Sequence, residues 1–150
     1  MKDSHSYGEL GVSSAKSDVI KAARSQGEGL FVGAFCKVIP DLLGGDPDWC
    51  MALHADGAGT KAIVSYLLFR ETGDASHFGS LAQDALVMNI DDLLCVGALG
   101  PFAVTNTIGR NRALVSGEAI EAIITGYETC AQRLGEAGVE IALCGGETAD

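Results

Sequence analysis

The chain has 150 residues, with 20 acidic side chains against 10 basic ones and a formal net charge of −10, a balance that excludes a nucleic-acid backbone as the default partner. With 47% apolar and 20% charged residues it is not a disordered chain, and its length allows one hydrophobic core. The longest uncharged apolar run, Leu93 to Thr105, is shorter than the roughly 20 residues of a bilayer crossing, and the polar start Met1-Lys2-Asp3-Ser4-His5 lacks a signal-peptide core. A cytoplasmic protein with no membrane partner is expected.

Met1 to Val12 reads as a polar arm, and Ser17-Asp18 open a short helix carrying Val19, Ile20, Ala22 and Ala23. Gly27 to Gly33 is a flexible segment leading to Phe35-Cys36-Lys37-Val38-Ile39, and Gly44-Gly45-Asp46-Pro47-Asp48 is a turn. Trp49 to Ala55 follows as a strand. From Thr60 the positions Ile63, Val64, Leu67 and Leu68 recur at helical spacing up to a stop at Gly73. A second helix is expected from about Ser76 to Val96.

Pro101 breaks that pattern, and Phe102, Val104 and Ile108 fit a strand with alternate residues inward. Gly117 to Ala137 is a long amphipathic helix ended by Gly138, after which Val139 to Cys144 forms a strand running directly into Gly145-Gly146-Glu147-Thr148. This order of elements predicts an α+β domain, one sheet with helices packed on it in two layers. The chain stops at Asp150, directly after a glycine-acid cluster, so a longer natural chain is expected. Five cysteines, Cys36, Cys50, Cys95, Cys130 and Cys144, are scattered without a C-x-x-C pair and read as reduced, small core residues.

Twenty glycines in 150 residues are close to twice the usual share of about 7%, and several of them sit beside acids. The sharpest cluster is Asp56-Gly57-Ala58-Gly59-Thr60-Lys61, between a predicted strand and a predicted helix. Glycine there lets main-chain N–H groups face an anion, the helix start adds positive potential, and Lys61 supplies a cation. A carboxylate beside a phosphate is repelled unless a divalent cation lies between, so Asp56 next to such a loop implies magnesium. The spacing fails the P-loop pattern, while Gly57-x-Gly59-x-x-Ala62 meets the dinucleotide fingerprint only formally, because no second strand with a ribose-binding acid follows.

Asp84, Asp91 and Asp92 lie on an otherwise apolar predicted helix at spacings that let Asp84 share a face with the other two. Carboxylates on a buried face need cations, either basic side chains or metal. Asp92 is the favoured functional member, and for Asp91 a solvent-facing position weighs equally. Gly145-Gly146-Glu147-Thr148-Ala149-Asp150 repeats the first logic at the end of another strand. His54, on an apolar strand, reads as a satisfied core histidine. Arg110 and Arg112 place two cations after a strand, where a solvated loop is favoured over a phosphate contact.

Taken in order, Asp56-Gly57-Ala58-Gly59-Thr60-Lys61, then Met88-Asn89-Ile90-Asp91-Asp92-Leu93-Leu94 with Gly97-Ala98, then Gly145-Gly146-Glu147-Thr148-Ala149, resemble the motifs of the phosphoribosylformylglycinamidine cyclo-ligase (aminoimidazole ribonucleotide synthetase) family, over about residues 7 to 150. This chain departs from the family pattern at Ala58, Asp91, Asp150 and, in the arm, Ser13, so it resembles a divergent subgroup. The resemblance implies an ATP-dependent ring closure of formylglycinamidine ribonucleotide to aminoimidazole ribonucleotide in purine biosynthesis, through phosphorylation of an amide oxygen. It implies ATP and Mg2+ as cofactors, with Asp56, Lys61, Asp92 and Glu147 as the catalytic set. Gly57, Gly59, Thr60, Lys61, Gly145, Gly146 and Thr148 would take nucleotide and phosphate, and Asp56, Asp84, Asp92 and Glu147 would take metal.

By the same resemblance, residues 1–150 are an N-terminal ATP-binding and dimerisation domain, a C-terminal α/β domain lies beyond, and the protein is a homodimer joined through this sheet. The glycine-rich 27–33 segment would be a mobile cover over the nucleotide. The alternatives are a small-molecule kinase or selenophosphate-synthetase-like phosphotransferase of the same superfamily, and a non-catalytic nucleotide-binding dimerisation module.

Overall fold

The computed structural model describes residues 8–9, 11 and 15–150; Ser13 and most of the arm lie outside the described residues. Helix α1 (Ser17–Ala23) continues into a 3-10 turn at Arg24–Gln26. Strands β1 (Val38–Pro40) and β2 (Cys50–Ala52) pair antiparallel, with Ile39 opposite Met51. Helix α2 (Lys61–Thr72), a 3-10 turn (Ala75–Phe78) and helix α3 (Ser80–Leu94) follow. Strand β3 (Phe102–Gly109), helix α4 (Gly117–Glu136) and strand β4 (Ile141–Ala149) complete a β-α-β unit whose strands are parallel.

The fold is α+β, with two corrections to the expected layering. Among the described residues the strands form two separate two-stranded sheets, β1-β2 and β3-β4, where one sheet was expected. The reason is local: β2 covers three residues, not the seven from Trp49 to Ala55, because the chain beyond Ala52 finds its hydrogen-bond partner on α3 and not on a strand. The helix expected over Ser76 to Val96 is likewise divided. Asp74 accepts the Ser76 N–H at 2.9 Å and starts a 3-10 turn, and α3 begins only at Ser80.

Two clusters of buried side chains hold these elements. Leu86, Ile90, Phe102 and Cys130 join α3, α4 and β3, with Tyr127, Leu134 and Ile141 packed around them. Phe78, Leu81 and Ala119 form the second, covered by Tyr66, Phe69 and Ile123, with the Phe69 and Phe78 rings edge to face at 5.6 Å. The helices meet most closely at Gly126, where an added Cβ would run into the Gly79 carbonyl and the Ala82 side chain, so only glycine fits. Gly73 ends α2 as expected, at φ 73° with its N–H donating to the Phe69 carbonyl.

The apolar stripe of α2 does not face this core. Ser65 is its buried residue, whereas Ile63, Val64, Leu67 and Leu68 are 44 to 60% exposed. Of the cysteines, all free, Cys36 and Cys130 are buried as expected, but Cys50, Cys95 and Cys144 are exposed. Their strand and helix-end positions lie on uncovered faces. No helix among the described residues is long and apolar enough to cross a membrane.

Two measurements check this packing. Leu86, 1% exposed, touches both α4 and the sheet side of the core, so Leu86→Ala should lower the unfolding free energy by about 2–5 kcal/mol in urea titration; a change below about 1 kcal/mol would remove it from the core. The backbone bond from Ser76, then its hydroxyl, then the nearby His77, hold the Asp74 carboxyl below the usual carboxylate range. A carboxyl lowered in the folded state stabilises it above the unfolded-state pKa and ceases to do so as pH falls through the folded value. An NMR titration should therefore find Asp74 ionised at a pH where an ordinary aspartate is already half protonated.

Candidate functional site

The chain from His54 to Lys61 lies antiparallel to α3 and is fastened to it at three points. At one end, His54 Nε2 lies 2.9 Å from Asp92 Oδ2. In the middle, the Asn89 amide grips the peptide of Asp56: Oδ1 accepts the Asp56 N–H at 2.9 Å, and Nδ2 donates to the Asp56 carbonyl at 3.0 Å. At the other end, Lys61 Nζ donates to Asp84 Oδ1 at 2.5 Å. A helix rises 1.5 Å per residue, so the eight residues from Asp84 to Asp92 spread these fastenings over about 12 Å.

Each element has a local reason. Gly59 adopts φ 58°, which turns the chain from the extended stretch into α2. The first amides of that turn point inward, Lys61 N–H to the Ala58 carbonyl and Ile63 N–H to the Thr60 carbonyl, and Gly57 N–H donates to Asp56 Oδ1 at 2.7 Å. Asp56, Gly57, Gly59, Thr60 and Lys61 are exposed. A shallow groove beside the Lys61–Asp84 pair is also lined by Ser65, His77 and Ser80.

On α3, Asp92 is half-buried and Asp91 exposed. The end of α3 is tied down by an unusual donor. Val96 N–H turns to the Leu93 carbonyl, and the Asp92 carbonyl is met at 3.2 Å by the Cys36 thiol. Burial, then the neighbouring Asp92 and Cys95, push the Cys36 thiol pKa up, which keeps it a protonated donor.

The third cluster is placed differently from expectation. Gly145 and Gly146 do not follow a strand end but lie inside β4, which continues to Ala149. The pairing steps from Val104–Leu143 to Asn106–Gly146, so β4 carries one extra residue, and Gly145 at φ 85° absorbs the bulge. Glu147 sits opposite Thr107 and is exposed, with Oε1 accepting the Thr148 N–H at 3.0 Å. Asp150 pairs with Arg110 at 2.6 Å, and that bond, with the charges of Arg110 and Arg112, holds its carboxyl below the usual range. Arg110 is thus committed to a partner within the chain.

Asp56, Lys61, Asp84 and Asp92 therefore belong to one surface of α3 and its docked loop, while Glu147 belongs to the β3-β4 ribbon. Among the described residues no three His, Cys, Asp or Glu side chains converge on a common metal position. The donor set still fits magnesium, which takes hard oxygens, keeps several waters and is held by one or two carboxylates together with substrate phosphates. Sequence reasoning passed over two residues of this surface. The motif gives Asn89 no role, and His54, read as a satisfied histidine, lies 3.2 Å from Asn89 Oδ1 and 2.9 Å from Asp92 Oδ2, two acceptors of which a neutral imidazole can donate to one at a time. Only the 35-residue separation of the partners hid them.

Residues 34–150 match the family model described as AIR synthase related protein, N-terminal domain. Among curated proteins, the chain is 33% identical over 102 residues to the phosphoribosylformylglycinamidine cyclo-ligase of Sulfurisphaera tokodaii, covering 68% of this chain and 27% of that protein. It is 36% identical over 101 residues to the protein of the same name from Saccharolobus solfataricus, covering 66% and 26%, and 32% identical over 102 residues to that of Thermococcus kodakarensis, covering 68% and 26%. The match thus spans about a quarter of the length of these relatives. The ordered motifs, the α+β architecture and these matches together mean that the chain belongs to the AIR synthase related family and carries its N-terminal domain.

Proposed function

We propose that this chain is the N-terminal, ATP-binding part of a phosphoribosylformylglycinamidine cyclo-ligase, an enzyme of purine biosynthesis that closes formylglycinamidine ribonucleotide to aminoimidazole ribonucleotide. The observation that carries the reading is the docking of the Asp56–Lys61 loop along α3. It lines up Asp56, Lys61, Asp84 and Asp92 on one accessible surface, in a chain related to proteins of that name.

The chemistry asks for what this surface offers. An amide oxygen is a poor leaving group, and a phosphoryl group placed on it lets a neighbouring amine close the ring as phosphate departs. Such transfer depends on positioning and on neutralising charge. Magnesium, when bound, would supply that neutralisation at the phosphate oxygens, held by Asp56 and Asp92; Asp84, about 12 Å along α3 from Asp92 and paired with Lys61, and Glu147, on the β3-β4 ribbon, lie apart from that position. Lys61, 62% exposed on a flexible stem, can leave Asp84 to meet a phosphate, because an exposed ion pair of this kind is worth about 1 kcal/mol or less. Gly57, Gly59 and Thr60 line the approach, and Gly145, Gly146 and Thr148 would act from the ribbon.

The same reading makes the protein cytoplasmic, gives it a C-terminal α/β domain beyond these residues, and makes it a homodimer. Strand β4, exposed along most of its length, offers an edge on which a second copy can pair. The test is to incubate the full-length protein with formylglycinamidine ribonucleotide, ATP and magnesium and to follow substrate-dependent ADP release. Wild type should turn over, and Asp56→Asn should lose about 100-fold or more in rate with an unchanged circular dichroism spectrum. Unchanged turnover in that variant would take Asp56 out of the site. ADP release that needs a different acceptor would assign the chain to a kinase or selenophosphate-synthetase-like branch, and nucleotide binding without turnover to a non-catalytic module.

A further inference from the structure

The loop that carries Asp56 is built from residues that hold no geometry by themselves. Gly57, Ala58 and Gly59 are small, the two glycines are exposed while Ala58 is half-buried against the Phe78 cluster, and β2 has ended at Ala52. Even so, the Asp56 peptide is gripped on both sides by one side chain. Asn89 Oδ1 accepts the Asp56 N–H at 2.9 Å, and Nδ2 donates to the Asp56 carbonyl at 3.0 Å and to the Ala85 carbonyl at 2.8 Å. Two carbonyls that require a donor and one N–H that requires an acceptor fix the amide in one orientation, since a flip would break all three bonds.

The bond to Ala85 locks Asn89 onto its own helix, so Asp56 takes its position from α3, whose Leu86 and Ile90 are buried in the core on either side. The same Oδ1 lies 3.2 Å from His54 Nδ1, and His54 Nε2 lies 2.9 Å from Asp92 Oδ2. A single amide is thereby connected to the main chain of one carboxylate-bearing residue and, through an imidazole, to the side chain of the other. Asp56 itself is exposed, so core packing does not require this clasp.

We propose that Asn89 is a positioning residue, which aims the Asp56 carboxylate by clasping its peptide and sets Asp92 relative to it through His54. The role in turnover rests on the cyclo-ligase reading above; the clasp is a property of the chain alone. Asn89 touches no reacting atom. Its effect falls on the transfer step, where misplacing a charged group by an ångström is enough to slow a reaction.

Two measurements on the full-length protein test this separately from the reading on which it rests. By NMR hydrogen exchange without ligand, the wild-type Asp56 amide should exchange about tenfold or more slowly than in an unstructured chain, and Asn89→Ala should remove that protection while Ile90 in α3 keeps its own. In the formylglycinamidine ribonucleotide and ATP assay, Asn89→Ala should lower kcat by about 100-fold and leave the KM for ATP within about threefold, a split that general loosening of the fold would not give. Asn89→Ser, whose hydroxyl can keep one of the bonds, should fall between; it replaces the alanine variant if that one does not fold.

An unprotected Asp56 amide in wild type overturns the clasp whatever the enzyme does. Wild-type kcat in both variants overturns the positioning role. A wild type that is inactive toward this substrate pair but has a protected Asp56 amide overturns the cyclo-ligase reading and leaves the clasp standing.

Discussion

The grip of one amide on one peptide decides where the candidate site lies. A glycine-flanked aspartate beyond the end of a three-residue strand has no ladder partner, and an unpaired main chain there would sample many conformations. Asn89 takes the place of a strand partner by offering one acceptor and one donor to the same residue. A second strand would have covered this surface. A helix side chain leaves Asp56 open to solvent.

That grip is only as firm as the helix that supplies it. Helix α3 is seated by Leu86 and Ile90 against Phe102 and Cys130, and by Leu81 in the neighbouring cluster. The absence of a side chain at Gly126 lets α4 approach the Gly79 backbone, which brings the two helices together at the start of α3. At its far end the Cys36 thiol meets the Asp92 carbonyl, so a residue just before β1 also fixes the helix terminus that bears Asp92. The polar surface is therefore a consequence of apolar packing on the opposite side of α3.

The structure also leaves much apolar surface uncovered. The outer face of α2 and Leu30, Phe31, Val32 and Phe35 in the segment before β1 are exposed, although Leu30 N–H is bonded to the Val38 carbonyl. Surfaces of this kind are normally buried against other protein. Hydrophobic periodicity on α2 therefore identifies a helix without identifying what that face packs against.

Local rules made the ends of α2 and α4 legible in the sequence, though not the start of α3: Gly73 closing α2, the stripe of α4, and the alternation of β3 depend on residues within a few positions of one another. The three motifs and the family they resemble were legible for the same reason. Strand pairing was not, because whether residues 53–56 extend a sheet or dock on a helix depends on what lies 33 residues away. Nor was the bulge that moves Gly145 and Gly146 inside β4, since a register shift exists only relative to a partner strand. The sequence by itself determined which acids, glycines and lysine stand in the three motifs; the tertiary structure alone decided that Asn89 and His54 lie between Asp56 and Asp92, because contacts between distant segments leave no periodic trace in the chain.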